Sequence, residues 1–275
     1  MTAVLTRAAT PTVTELKVTQ SRVLRSEFTK FRSLRSTAWT LLVAVILMIG
    51  IAALFSAVNA SQYHTFSPAG QASFNAVSVS LAGVTFAQVA FGVLGVLMMS
   101  GEYSTGMIRS SLTAVPRRLP VLWGKLAVFA GAIFSISLIA SFISFFLGQA
   151  LLNSHHLGVS ITAPGALRSV IGAALYITVA GLIGTAVGAL FRNTAAGIAT
   201  FAGVFFVIPP LTELLPVSIS SHLTPYLPST AGEVLWGGAR DVQGALSPWT
   251  GFALLCGYAV VLIAAAAWRL RRADA

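Results

Sequence analysis

Few residues in this sequence carry side chains that could do chemistry, and their spacing completes no reaction. His155 and His156 are adjacent, but no acidic or cysteine partner stands at metal-ligand spacing from them. Ser135, Ser137, Ser141 and Ser144 recur along an apolar run that contains no histidine or aspartate. Hydroxyls in such a run more often serve as interhelical hydrogen-bonding groups than as nucleophiles. No Gly-x-x-x-x-Gly-Lys-Ser/Thr string occurs, so the chain has no P-loop of its own. Lys125 and Arg168 fall near the ends of apolar runs, where a long basic side chain can snorkel to water. An ion-driven carrier keeps ionisable groups inside its spans, and only Glu213, near an outer end, offers weak footing for a proton relay. Cys256 is the sole cysteine, so no intrachain disulfide can form. The sequence therefore predicts neither a catalytic residue nor a metal ligand.

What stands out instead is a polar stretch between two apolar runs, Gly101 to Pro120, reading GEYSTGMIRSSLTAVPRRLP. Arg109, Arg117 and Arg118 outweigh Glu102 there, which assigns the stretch to the cytoplasmic side of a membrane. Met107, Ile108, Leu112 and Val115 recur at helical spacing and Pro116 closes the segment. A short amphipathic helix on the cytoplasmic face is a handle that another protein could grip. An ordinary interfacial loop held by anionic lipid has the same pattern, and the residues leave both readings open.

The rest of the chain must hold that stretch in a bilayer. Of its 275 residues 56% are hydrophobic and 9% charged, with mean hydropathy +0.85. Soluble domains carry roughly a quarter charged residues, so the class is a polytopic helical membrane protein. An outer-membrane barrel is excluded, because the apolar runs are long and continuous rather than alternating. The net charge of +10 would suggest nucleic acid in a soluble protein. Here every Lys and Arg except Arg168 and Arg240 falls on one side of the expected topology. This is the positive-inside asymmetry; it places both termini in the cytoplasm, against anionic lipid, and no nucleic-acid partner is expected.

In chain order, Met1 to Val13 shows no apolar period and reads as a disordered tail. Thr14 to Arg35 reads as one amphipathic helix lying in the membrane interface. Its apolar stripe is Val23, Leu24, Phe28, Phe31 and Leu34, with Arg22, Arg25, Lys30, Arg32 and Arg35 around it. Spans are expected over Ala38–Val58, Ala76–Met99, Val121–Leu152, Ala166–Leu190, Ala195–Leu215 and Trp249–Trp268. The third exceeds a perpendicular crossing and must tilt or protrude. The fifth should kink at Pro209-Pro210. A cleaved signal peptide at Val58-Asn59-Ala60 is rejected, since the apolar run is too long and a long polar segment precedes it. Trp39, Trp123, Trp249 and Trp268 fall at span ends, as an aromatic belt requires. Between spans five and six, Pro216 to Pro248 is the longest extracytoplasmic piece. LTELLPVS and STAGEVLWGG within or beside it read as broken, half-buried helices of a re-entrant pair. Ala180, Gly184 and Gly188 form a small-x-x-x-small ridge, for packing within the subunit or across a dimer. The expected organisation is a tail and interfacial helix over 1–37, a six-helix membrane domain over 38–268 and a cytoplasmic tail over 269–275.

On these residues the chain resembles the membrane permease of type-2 ABC exporters. SRVLRSEFTKFRSLRSTAW (Ser21 to Trp39) is similar to the elbow helix of actinobacterial members. GEYSTGMIRSSLTAVPRR (Gly101 to Arg118) is similar to their coupling loop, with its Glu, Gly-Met-Ile and closing Pro-Arg. The resemblance implies an all-α permease that forms a translocation pathway as a dimer, a homodimer ahead of a heterodimer. It also implies a separate ABC ATPase subunit that binds ATP and Mg, with no cofactor held by this chain. It assigns coupling roles to Glu102, Gly106, Ile108, Arg109, Pro116, Arg117 and Arg118, and elbow roles to Arg25, Phe28, Phe31 and Arg35. Glu102 and Arg109 would face the ATPase or brace the loop against the elbow helix. The rival reading is a membrane-embedded interaction or immunity protein without transport activity.

Overall fold

The computed structural model describes residues 20–33, 35–104, 118–239 and 242–272, and these are helical with no strand. The elements are α1 (Gln20–Ser33), α2 (Arg35–Gln62), α3 (Pro68–Ser73), α4 (Ala76–Ser80), α5 (Val84–Ser104), α6 (Arg118–Asn153) and α7 (Ala166–Phe191). After these come α8 (Thr194–Ala202), α9 (Ile208–Thr212), α10 (Val217–Leu223), α11 (Pro228–Glu233) and α12 (Pro248–Arg272). Six stretches are long and apolar enough to cross a membrane: 36–65, 84–103, 119–153, 166–191, 194–212 and 248–272. The four expected tryptophans at span ends are all exposed, as lipid-facing rings should be.

Several boundaries differ from the sequence expectation, each for a local reason. Helix α1 ends at Ser33, and Arg35 opens the first spanning helix instead of closing α1; residues 14–19 lie outside the described residues. The second span is not continuous from Ala76. It breaks between α4 and α5 at Leu81–Gly83, where Gly83 lies so close to the Met48 carbonyl of α2 that a Cβ would collide with it. The fifth span is irregular upstream of Pro209-Pro210, as a π-turn over Gly203–Val207. The two prolines lack the N–H groups that would bond back to Phe205 and Phe206, so the defect falls in the turn before them. LTELLPVS is not a half-buried helix. It straddles the end of α9 and the start of α10, and Thr212 is its one buried residue. STAGEVLWGG forms all of α11 but Pro228, and a following turn, with Ala231, Leu235 and Trp236 buried.

The bundle is built around α7. Its small residues let neighbours approach closely, and it packs most extensively on α5, then α6 and α12. Gly184 sits against the Gly92 carbonyl, Gly188 against Val96, and Gly95 against Gly181 and Thr185. The Phe129 ring of α6 covers Gly181. In lipid, apolar surface gains little from leaving its solvent, so this backbone-to-backbone fit carries the association. The spanning helices α2, α8 and α12 lie at the periphery and show most of their surface.

Candidate functional site

Glu27, Lys30, Glu102 and Lys125 meet at the end of the bundle from which residues 105–117 depart. Glu27 lies on α1 at helical spacing between Leu24 and Phe31, so the inward face that carries those apolar side chains also carries its carboxylate. Glu102 stands in the last turn of α5 and Lys125 in the second turn of α6. Lys125 Nζ donates to Glu27 Oε2 at 2.7 Å and to Glu102 Oε1 at 2.7 Å. Lys30 Nζ donates to Glu27 Oε1 at 2.8 Å and lies 3.7 Å from Glu102 Oε1. The Lys125 and Glu27 side chains are each 3% exposed. Distances this short mark charge-assisted hydrogen bonds. Among the described residues Glu102 Oε2 is buried without a partner. Two ammonium groups and two carboxylates balance, which lets the cluster stay ionised while buried. Burial pushes the Glu27 carboxyl up, but the Lys125 and Lys30 ammoniums more than offset it and hold the group below its ordinary value. Burial likewise opposes the Lys30 charge, and its bonds to Glu27 with the nearby Glu102 carboxylate raise its pKa.

Further contacts tie the same end together. Gln20 Nε2 donates to the Pro120 carbonyl at 3.2 Å, a second link from α1 to α6. Met99, Leu122, Leu126, Ala189, Ala266 and Leu270 form an apolar cluster across α5, α6, α7 and α12. The Arg192 guanidinium lies 5.0 Å over the Tyr103 ring. Beside the ionic cluster is a cavity of about 390 Å³, walled by Phe31, Leu94, Leu97 and Met98 and by the hydroxyls of Ser36 and Thr37. Among the described residues no group of His, Cys, Asp and Glu is placed to hold a metal.

The expected site residues are distributed as follows. Glu102 is buried and ion-paired rather than simply exposed at an interface. Gly106, Ile108, Arg109, Pro116 and Arg117 lie outside the described residues; Arg118 opens α6. On α1, Arg25 is exposed, Phe28 is 52% exposed, and Phe31 packs on the core. Gly184 and Gly188 line the close α5–α7 contact within this chain, and Ala180 is fully buried on the same helix. Lys125 does not snorkel, because two carboxylates hold it inside. Two of the four third-span serines, Ser135 and Ser137, bond within their own helix, Ser135 to Gly131 O at 2.8 Å. Ser137 reaches Ile133 O at 2.6 Å and Ala174 O at 3.4 Å, while Ser141 and Ser144 are buried without partners.

Sequence reasoning missed Glu27 and Lys125 as a pair. The signal was there: one acid among the apolar positions of a basic helix, and one base inside an apolar run. It also missed a second polar network toward the other end of the bundle. Gln88 of α5 donates to Glu233 Oε1 of α11 at 3.3 Å and accepts the Tyr176 hydroxyl of α7. Those residues are separated by 88 and 145 positions, and no local pattern joins them.

No curated protein matches the chain. Residues 23–222 match the family described as ABC-2 family transporter protein, which takes in most of α1, the ionic cluster and five of the six membrane-crossing stretches. With six apolar helices and a family match over most of its length, the chain belongs to the ABC-2 transporter family and is a multi-pass membrane permease subunit of an ABC transporter.

Proposed function

We propose that this permease exports its substrate through a pathway formed by two permease subunits, a homodimer ahead of a heterodimer, and is driven by a separate ATPase that holds ATP and Mg. Residues 101–118 receive the motion of that ATPase, and the ionic cluster passes it into the membrane helices. The supporting observation is that Glu102 and Lys125, on either side of 105–117, are both held at the Glu27–Lys30 face of α1. A push on the loop is then shared among α1, α5 and α6 instead of being absorbed by one of them. Nucleotide can do work only if the ATPase binds the two permease states with different affinity, so the contact must change with state. The topology that goes with this reading puts both termini and the loop in the cytoplasm and the 216–248 segment in the outer leaflet, following the charge asymmetry. The family membership and the absence of any P-loop string support an energy source in another chain.

The test is to reverse the charge at Glu102 (Glu102→Lys) or to place Asp at Ile108, then measure ATPase activity and efflux in reconstituted complexes. Both variants should hydrolyse ATP without matching export. Full efflux in each would leave 101–118 as a passive connector.

A further inference from the structure

The structure points to a second site, away from the loop, at the α11 segment. Among the described residues every ion pair uses Glu27 or Glu102, and Glu233 has no cationic partner. Its surroundings are nonetheless interior. Gln88 and Tyr176 are buried, and the Tyr176 ring lies directly against Gly232, where a Cβ would collide with it. The hydrogen bonds run one way: the Tyr176 hydroxyl donates to the Gln88 carbonyl, and the Gln88 amide donates to Glu233 Oε1. The chain of donors ends on one carboxylate oxygen. Oε2 accepts nothing from a described residue and is not sealed, and Glu233 keeps part of its surface accessible while protein crowds it. One helical turn back on the same face, Ser229 is buried with its hydroxyl unpartnered, and three residues on, the buried Trp236 indole N–H is unpartnered too.

We propose that this site binds ligands carrying a protonated amine, with Glu233 Oε2 accepting the ammonium N–H and Gln88, held in turn by Tyr176, fixing the carboxylate. An unpaired carboxylate inside protein is costly unless a cation or a proton neutralises it. Burial pushes the Glu233 carboxyl up to about 7, with the Gln88 hydrogen bond acting against it. The group therefore changes charge in the neutral range, and an amine competes with a proton for it. Of the elements packed around α11, α7 presents Tyr176 and α5 the uncharged Gln88. Helix α12 carries Cys256 and Tyr258, the latter bonded to the Tyr226 carbonyl; the Gly203–Val207 turn carries no titratable group. Amine binding needs the ionised form, so affinity should be full above pH 7 and fall about tenfold per pH unit well below it.

The site can be tested without the ATPase, so its failure is separable from failure of the coupling reading. The full chain in lipid nanodiscs is titrated with benzylammonium and, as the uncharged counterpart, benzyl alcohol, by saturation-transfer NMR, with empty nanodiscs subtracted. Benzylammonium should bind with the pH dependence above and benzyl alcohol without it, and Glu233→Gln should remove the difference between them. If Glu233→Gln does not fold, Gln88→Leu serves instead. It removes the one bond that holds the carboxyl down and should move the pH midpoint of amine binding upward. Equal binding of the two probes, an amine preference that survives Glu233→Gln, or a midpoint unmoved in Gln88→Leu would each overturn the site.

Discussion

Replacing Lys125 by Met is the sharpest perturbation of the ionic cluster. The substitution keeps the length and packing of the side chain and removes one charge. It leaves Glu27 with Lys30 at 2.8 Å, but Glu102 with a lysine contact of 3.7 Å and an Oε2 that already has no partner. Lys125 is 3% exposed, so water cannot replace it. Removing one partner of a buried pair costs about 3–5 kcal/mol, mostly as the penalty of the stranded charge. Lys30 is 30% exposed, and a surface-type pair contributes about 0–1 kcal/mol, so Lys30→Met should cost several-fold less. The double variant Lys125→Met, Glu102→Gln keeps the Glu27–Lys30 pair, leaves no stranded charge and should recover most of the loss. Unfolding midpoints in mixed micelles, followed by far-UV dichroism, rank the three. Lys125→Met no worse than Lys30→Met, or a double variant worse than the single, would refute the claim that charge balance holds this end together.

Acid should loosen α1 for the same reason. The Glu27 carboxyl is depressed, so its contribution is present above its ordinary pKa of about 4.5 and is lost as pH falls through the lower folded value; Lys30 is raised and loses its contribution only in alkali. Protease accessibility of α1 should therefore be flat through neutrality and rise below about pH 4.5. Gly184→Ala drives a Cβ into the Gly92 backbone and should cost about 1–3 kcal/mol, whereas Gly131→Ala meets open space and should stabilise its helix by up to about 1 kcal/mol; thermal midpoints compare them. Phe31→Ala should cost about 3 kcal/mol of stability because the ring packs on the core, while Phe28→Asp, at an exposed ring, should leave the midpoint within about 0.5 kcal/mol and weaken vesicle association of an α1 peptide. With Cys256 replaced, single cysteines at Ser67 or His156 should label from outside intact cells and one at Ser104 should not; external labelling at Ser104 would invert the topology.

The span count was legible because hydrocarbon thickness imposes a length, and each apolar run met it. Other features required partners far along the chain. The α4–α5 break depends on Met48 of α2 pressing on Gly83, which no local pattern near Gly83 records. The kink was expected at Pro209-Pro210, but the irregularity is a π-turn just before them, since a proline marks where the donor is lost and the defect appears at the acceptor. Glu27 was hidden because the eye reads its helix as apolar stripe and basic flank, and a single acid within the stripe looks like noise. Glu233 was hidden by distance: Gln88 and Tyr176 reach it only after α5, α7 and α11 have packed.

Helix α6 runs unbroken for 36 residues, about 54 Å at 1.5 Å per residue, against a hydrocarbon core of about 30 Å. Near one end it carries Lys125; near the other, Gln149 donates to Ala76 O at 3.0 Å and to Ser80 Oγ at 2.8 Å and accepts Val159 N–H at 2.7 Å. Each end is fastened by a polar side chain with its partners on other segments, and no proline or glycine pair interrupts the backbone between them. A continuous helix transmits displacement as a stiff rod, because bending it would stretch consecutive hydrogen bonds along its length. A movement of the ionic end by an ångström must therefore be met at Gln149, about 36 Å away by the same rise per residue, by sliding or tilting of the whole rod. The two faces of the bundle are geared to one another through a single element.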